Sequence, residues 1–263
     1  MTATVVTVTS GKGGVGKTTV TANLGAALAM LGKQVVTIDA DIGLRNLDMV
    51  LGLENRIVYD LVDVVEGRCR LRQALIRDKR LPDLHLLPAA QTRDKSAVTP
   101  AQMIEICDQL RPTADFVLVD SPAGIEQGFR NAVAPADQVL IVTTPEVSAV
   151  RDADRIVGLI EAEDKGSPLL IINRLNPQMV RRGQMLSMQD VLEILAIDLL
   201  GIIPEDKQVT VSTNQGAPVV LDGKHPAGQA LRNIAGRLMG QEIPLMRLEP
   251  DGLFGRLARA LGR

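Results

Sequence analysis

The chain has 263 residues, with 29 Lys and Arg against 31 Asp and Glu, a formal net charge of −2. Hydrophobic residues make up 46% and charged ones 23%, the balance of a globular chain long enough to bury a full core without disulfides or metals. Aromatics are only 2%, which excludes base stacking on aromatic platforms, and the near-neutral charge speaks against a surface that grips nucleic acid throughout.

The predicted elements alternate. Residues 5–9 read as a strand, 18–31 as a helix, 35–39 as a strand, 102–110 as a helix, and 116–120 and 138–143 as strands. A helix over 148–161, strands over 169–173 and 199–203, and a helix over 227–239 follow. The strands are apolar almost throughout, which implies burial on both faces. The expected fold is therefore α/β, a single doubly wound and mostly parallel sheet with helices on both faces. A composition shift near Pro244 to Pro250 divides a body, residues 1–245, from a linker and tail, residues 246–263. Cys69 and Cys107 form no C-x-x-C pair, so zinc, iron–sulfur and disulfide frameworks lack support. No apolar run approaches the ~18 residues of a spanning helix. Met1-Thr2-Ala3 opens no secretory pattern, so a cytoplasmic protein is expected.

The run Gly11-Lys12-Gly13-Gly14-Val15-Gly16-Lys17-Thr18 follows the first strand and opens the first helix, the context that a P-loop requires. Its glycines let the backbone turn tightly and aim N–H groups at phosphate oxygens, and the helix start adds its positive dipole end. Lys17 supplies charge for the β- and γ-phosphates, and the Thr18 hydroxyl is placed to ligate Mg²⁺. Asp39 and Asp41 leave the second strand at i and i+2 and can face one phosphate site while the chain is extended. For Asp41 taken alone, a solvated turn is the other reading. The strand over 116–120 ends in Asp120-Ser121-Pro122-Ala123-Gly124, an acid positioned to hold Mg²⁺ through water, followed by a turn suited to sensing a γ-phosphate. No Asn-Lys-x-Asp guanine reader is present, which favours ATP over GTP.

With Lys12 as a second lysine inside the loop, the run through Thr18 and Thr19 resembles the deviant Walker A signature of the MinD/ParA family of P-loop ATPases. Residues 43–48 differ from the Pro-Gln-Gly continuation usual in its DNA-segregating members. They resemble the septum-site-determining branch, as does Ile203-Pro204-Glu205-Asp206. The resemblance implies ATP and Mg²⁺ as ligands, with Asp39 organising the metal and its waters and Asp41 acting on the attacking water. It also implies that Asn173 reads the adenine edge, with Pro204 and Glu205 beside the nucleotide, although a strand-end Asn is a common turn former. Lys12 is then expected on a partner's nucleotide in an ATP-dependent homodimer. The implied partners are the division inhibitor MinC, MinE or another topological factor, and an anionic membrane surface, with no specific nucleic acid. Arg45, Ser148, Asp152 and Asp154 resemble the branch's partner-binding face; a solvated helix start explains the acids equally well. The implied location is cytoplasmic and, with ATP, peripheral on the inner face of the cell membrane.

The tail, residues 253–263, contains no acid. At ~100° per residue, Leu253, Phe254, Leu257 and Leu261 share an arc of roughly 100°, while Arg256, Arg259 and Arg263 gather opposite. Such a basic amphipathic helix lies in a membrane interface. Its four apolar side chains contribute at most ~6–12 kcal/mol, three Arg about 1 kcal/mol each at an anionic surface, and ordering eleven residues costs on the order of 10 kcal/mol. One tail is marginal; two on a dimer gain avidity. A helix packed on its own body is the competing reading. Within the family, a flagellar-number regulator typically carries an extra N-terminal segment, whereas the first strand here starts at Val5. A DNA-segregating member is disfavoured by the net charge and the tail.

Overall fold

The computed structural model describes residues 2–246. Eight strands form one sheet: β1 (Thr4–Thr9), β2 (Val35–Asp39), β3 (Ile76–Arg77), β4 (Leu84–Leu87), β5 (Phe116–Asp120), β6 (Gln138–Thr143), β7 (Leu169–Leu175) and β8 (Asp198–Pro204). Their order is β3-β4-β2-β5-β1-β6-β7-β8. Every pairing is parallel except the β3–β4 edge. The helices are α1 (Lys17–Met30), α2 (Leu47–Leu51), α3 (Leu61–Val65), α4 (Leu71–Ala74), α5 (Pro100–Leu110), α6 (Gln127–Val133), α7 (Val147–Ala162), α8 (Pro177–Arg181), α9 (Met188–Leu195), α10 (Lys207–Asn214) and α11 (Pro226–Leu238).

Strand alternation divides the core into two layers. Val6, Val8, Leu118, Leu140, Val142 and Ile171 face α1 and α11 in one layer. Val5, Val117 and Val119 face α5, and Val139, Ile141, Leu170 and Ile172 face α7 and α9, in the other. Helices on both faces explain why the central strands carry almost no exposed position. The chain leaves β1 toward β2 on one side, and from β5 it crosses β1 to β6 on the other. The loops at the carboxyl ends of β1, β2 and β5 therefore surround a topological switch point, where α/β sheets bind ligands.

The central strands match the sequence expectation to within two residues. The edge pair β3–β4 and the short helices over 47–74 were not expected. They are two to five residues long, and His85 interrupts the apolar run of β4, so no period could develop. At the far end, Arg237 on α11 donates to the carbonyls of Leu200, Ile243 and Pro244. This ties the segment to the body, and Met246 packs against the α1–α11 layer. The tail residues Leu253, Phe254, Arg256, Leu257, Arg259 and Leu261 lie outside the described residues. Among the described residues no helix is long and apolar enough to cross a membrane.

Candidate functional site

The loop between β1 and α1 is braced from two sides. Gly14 and Gly16 have positive φ, +81° and +97°, and Gly16 caps α1. A Cβ at Gly16 would run into the Asn173 amide, and one at Gly11 into the backbone of Asp152 on α7. Only glycine lets the loop lie this close to both neighbours. The Asn173 amide nitrogen donates to the Val15 carbonyl at 2.7 Å, and its oxygen accepts from the Arg174 N–H at 3.0 Å. Each end of that amide makes one bond to backbone and keeps a second N–H and a second lone pair, which an adenine edge can use.

Lys17 is buried and reaches Asp120 Oδ1 at 3.2 Å, with Thr18 Oγ1 at 3.5 Å. Thr21, one turn along α1, donates to the same Asp120 oxygen at 3.0 Å. Asp120 Oδ2 is buried with no hydrogen-bond partner among the described residues. Asp39 and Asp120 are register partners at the ends of adjacent strands. Burial first, and the charge of Asp120 second, push the Asp39 carboxyl up to about 7. Two buried carboxylates served by one lysine leave room for further positive charge. Among the described residues no cluster of three His, Cys, Asp or Glu could hold a metal by protein alone. The donor set fits a hard cation such as Mg²⁺, which leans on one or two carboxylates plus phosphates and keeps its waters.

The Asp39 carboxylate also does something the sequence did not suggest. Its Oδ1 accepts the Asp41 N–H at 2.9 Å, and its Oδ2 accepts the N–H groups of Asn46 and Leu47, both at 3.1 Å. It thus pins both ends of the 41–47 loop and caps α2. Asp41, largely buried, then lines a cleft of about 430 Å³ together with Lys12, Lys17, Thr18 and Thr19 and the backbone of Gly13 and Gly14. A neighbouring cleft of about 350 Å³ shares Gly16 and Thr19 and is lined by Asn173, Pro204, Glu205 and Thr210.

Lys12 turns away from Lys17. Its Nζ donates to Ser148 Oγ at 2.9 Å and lies 3.8 Å from Glu146 Oε2, both at the start of α7. Asp152 is half-buried beside Gly11 and pairs with Arg155 at 3.6 Å, while Asp154 is exposed. Arg45, expected on a partner face, has φ +44° and turns its Nε inward onto buried Asp48 at 3.0 Å. Sequence reasoning missed Arg174, which lines both clefts with φ +58°. It missed Thr21 as well. Adjacency to Asn173 and the i+4 spacing from Lys17 were the available signals.

The profile of the CobQ/CobB/MinD/ParA nucleotide binding domain matches residues 6–219. The septum site-determining protein MinD of Synechocystis sp. is 59% identical over 260 residues, 98% of each chain. A chain of the MinC:MinD cell division protein complex of Aquifex aeolicus is 54% identical with a TM-score of 0.87, covering 93% of this chain and 99% of that one. The septum site-determining protein MinD complexed with Mg-ADP from Pyrococcus horikoshii is 28% identical with a TM-score of 0.82, covering 92% and 100%. Identity of this depth over nearly the whole length places the chain in the MinD family of septum-site-determining cell-division ATPases.

Proposed function

We propose that this chain is an ATP-driven membrane switch that places the division site. ATP occupies the two joined clefts. The N–H groups of residues 11–19 and Lys17 bind its phosphates, and Pro204 and Glu205 flank the base beside Asn173. Thr18, Asp120 and, through waters, Asp39 would hold Mg²⁺. The ion, when bound, neutralises the charge that builds on the phosphate oxygens. Asp39, through the Asp41 and Leu47 N–H groups, fixes the loop that carries Asp41. The Asp41 carboxylate orients the attacking water and accepts its proton.

The observation that carries this reading is the division of labour within one loop. Lys17 is buried against Asp120 and shares a cleft with Asp41, while Lys12 lines the same cleft as an exposed side chain whose Nζ rests on Ser148 at the rim. A lysine at the rim can serve a second copy's nucleotide. In the proposal, ATP therefore favours a homodimer with Lys12 crossing the interface. Two C-terminal tails then engage an anionic bilayer together, and the dimer recruits the division inhibitor MinC. MinE, or another topological factor, stimulates hydrolysis and releases the monomer. In this reading Ser148, Asp152 and Asp154 contact these partners, and Arg45 joins them only by leaving Asp48. Light scattering on the full chain tests the first step. A dimer with Mg-ATP and a monomer with Mg-ADP is expected; the same mass with both nucleotides would overturn the switch.

A further inference from the structure

Two helices wall the joined clefts. Met49 and Val50 of α2, with Thr213 of α10, line the one on the side of the Asp41 loop, and Lys207 and Thr210 of α10 line the other, beside Pro204 and Glu205. The carboxyl ends of these helices meet at two glycines. Gly52 caps α2 with φ +63°, and Gly216 follows α10 with φ +60°. Their backbones touch: a Cβ on Gly52 would lie 2.5 Å from the Gly216 carbonyl oxygen, and one on Gly216 would lie 2.6 Å from Gly52 Cα. No side chain fits in that seam.

One guanidinium closes it. Arg80 Nη2 donates to the Leu51 carbonyl at 2.6 Å, and Nη1 donates to the Gly216 carbonyl at 2.8 Å. The group is held in place by buried Asp78, which accepts from Nη2 at 2.9 Å, from Nε at 3.3 Å and from the Arg80 N–H at 2.6 Å. Burial alone would push the Asp78 carboxyl up, but its hydrogen bonds from Arg80 outweigh this and hold it below the ordinary range. A planar fork with several fixed donors is what spanning two carbonyls and a carboxylate demands; a lysine ammonium is a point charge and cannot match it.

We propose that Arg80 is a positioning residue of the ATP site, a clasp joining α2 to α10 so that the base side and the hydrolytic side of the cleft respond to nucleotide as one unit. This rests on the proposed nucleotide reading of the two clefts. Occupancy of the α10 side then restrains α2, whose first N–H groups are tied through Asp39 to the Asp41 loop.

The test is deuterium exchange on the full chain, with and without Mg-ADP, for the wild type and Arg80→Lys, which keeps a cation beside Asp78. In the wild type, Mg-ADP should protect both 47–52 and 207–216. In Arg80→Lys, protection at 207–216 should persist while that at 47–52 falls, and turnover per nucleotide-binding site should fall about fivefold with the Mg-ADP Kd changed less than about twofold. A residue that only stabilised the fold would lower the number of binding sites without altering turnover per site. Gly216→Ala leaves the Arg80–Asp78 pair intact but forces a Cβ into Gly52, and should give the same split. Joint protection retained in either folded variant overturns the clasp, as does wild-type protection confined to 207–216. Wild-type protection in neither segment contradicts the nucleotide reading itself, and the clasp falls with it.

Discussion

Lys12 and Lys17 belong to the same loop, yet one is buried against Asp120 and the other rests on the surface of α7. Burial decides their roles. Lys17 compensates a buried carboxylate, so its charge is spent within its own site, whereas the Lys12 ammonium is half-exposed and held only by a hydroxyl and a distant carboxylate. Lys12→Ala should therefore leave nucleotide affinity intact and abolish ATP-dependent dimerisation and partner-stimulated hydrolysis. Unchanged dimer mass by light scattering would remove the cross-dimer role. Asp41→Ala should separate binding from chemistry, with nucleotide affinity within a few-fold of wild type and turnover lower by about 10²-fold or more. If its affinity fell as far as that of Lys17→Ala, Asp41 would be a binding residue. At this scale much was legible, because the Gly-Lys-Thr spacing and the aspartates at i and i+2 are local patterns. The bond from the Asn173 amide to Val15 and the inward turn of Arg45 were not, since they depend on Val15 and Asp48 being placed by the fold.

Among elements, the central strands announced themselves through unbroken apolar runs, and α1, α5, α7 and α11 through length. The remainder of the helices are short, and several are set by caps rather than by period. Asp60, Asn176 and Ser187 each accept N–H groups at the start of α3, α8 and α9. Such caps fix where an element begins but do not lengthen it into a recognisable pattern. α6 shows how a seven-residue helix can still matter: its Phe129 is among the largest fully buried side chains and joins α7 and α9 in one cluster. Phe129→Ala should cost about 3–5 kcal/mol in chemical denaturation; a loss under about 1 kcal/mol would show that the cluster refills. The proposed amphipathic tail belongs to this scale too. Leu257→Glu removes an anchor of ~1.5–3 kcal/mol, counted twice in a dimer, so membrane affinity should fall by about two to four decades while basal hydrolysis and dimerisation persist. Arg256→Ala should weaken binding less, and mainly at low salt. Lost basal hydrolysis in Leu257→Glu would make the tail part of the folded body.

The whole molecule is a sheet whose carboxyl edge gathers charge and whose far edge anchors the chain leading to the tail. Asp39, Asp41, Asp120, Lys12 and Lys17 all emerge at that carboxyl edge, while Arg237 holds residues 243 and 244 against the start of β8. Among the described residues, the proposed nucleotide cleft and residues 243 and 244 thus lie at separate places on the sheet. In the proposed switch, ATP acts on membrane binding through assembly, by bringing two tails to one surface. The most direct test is co-sedimentation of the full chain with anionic vesicles in Mg-ATP and in Mg-ADP, with duplex DNA as competitor. The account predicts pelleting with Mg-ATP, little with Mg-ADP, and no effect of DNA. Equal pelleting with both nucleotides, or release from vesicles by DNA, would contradict it.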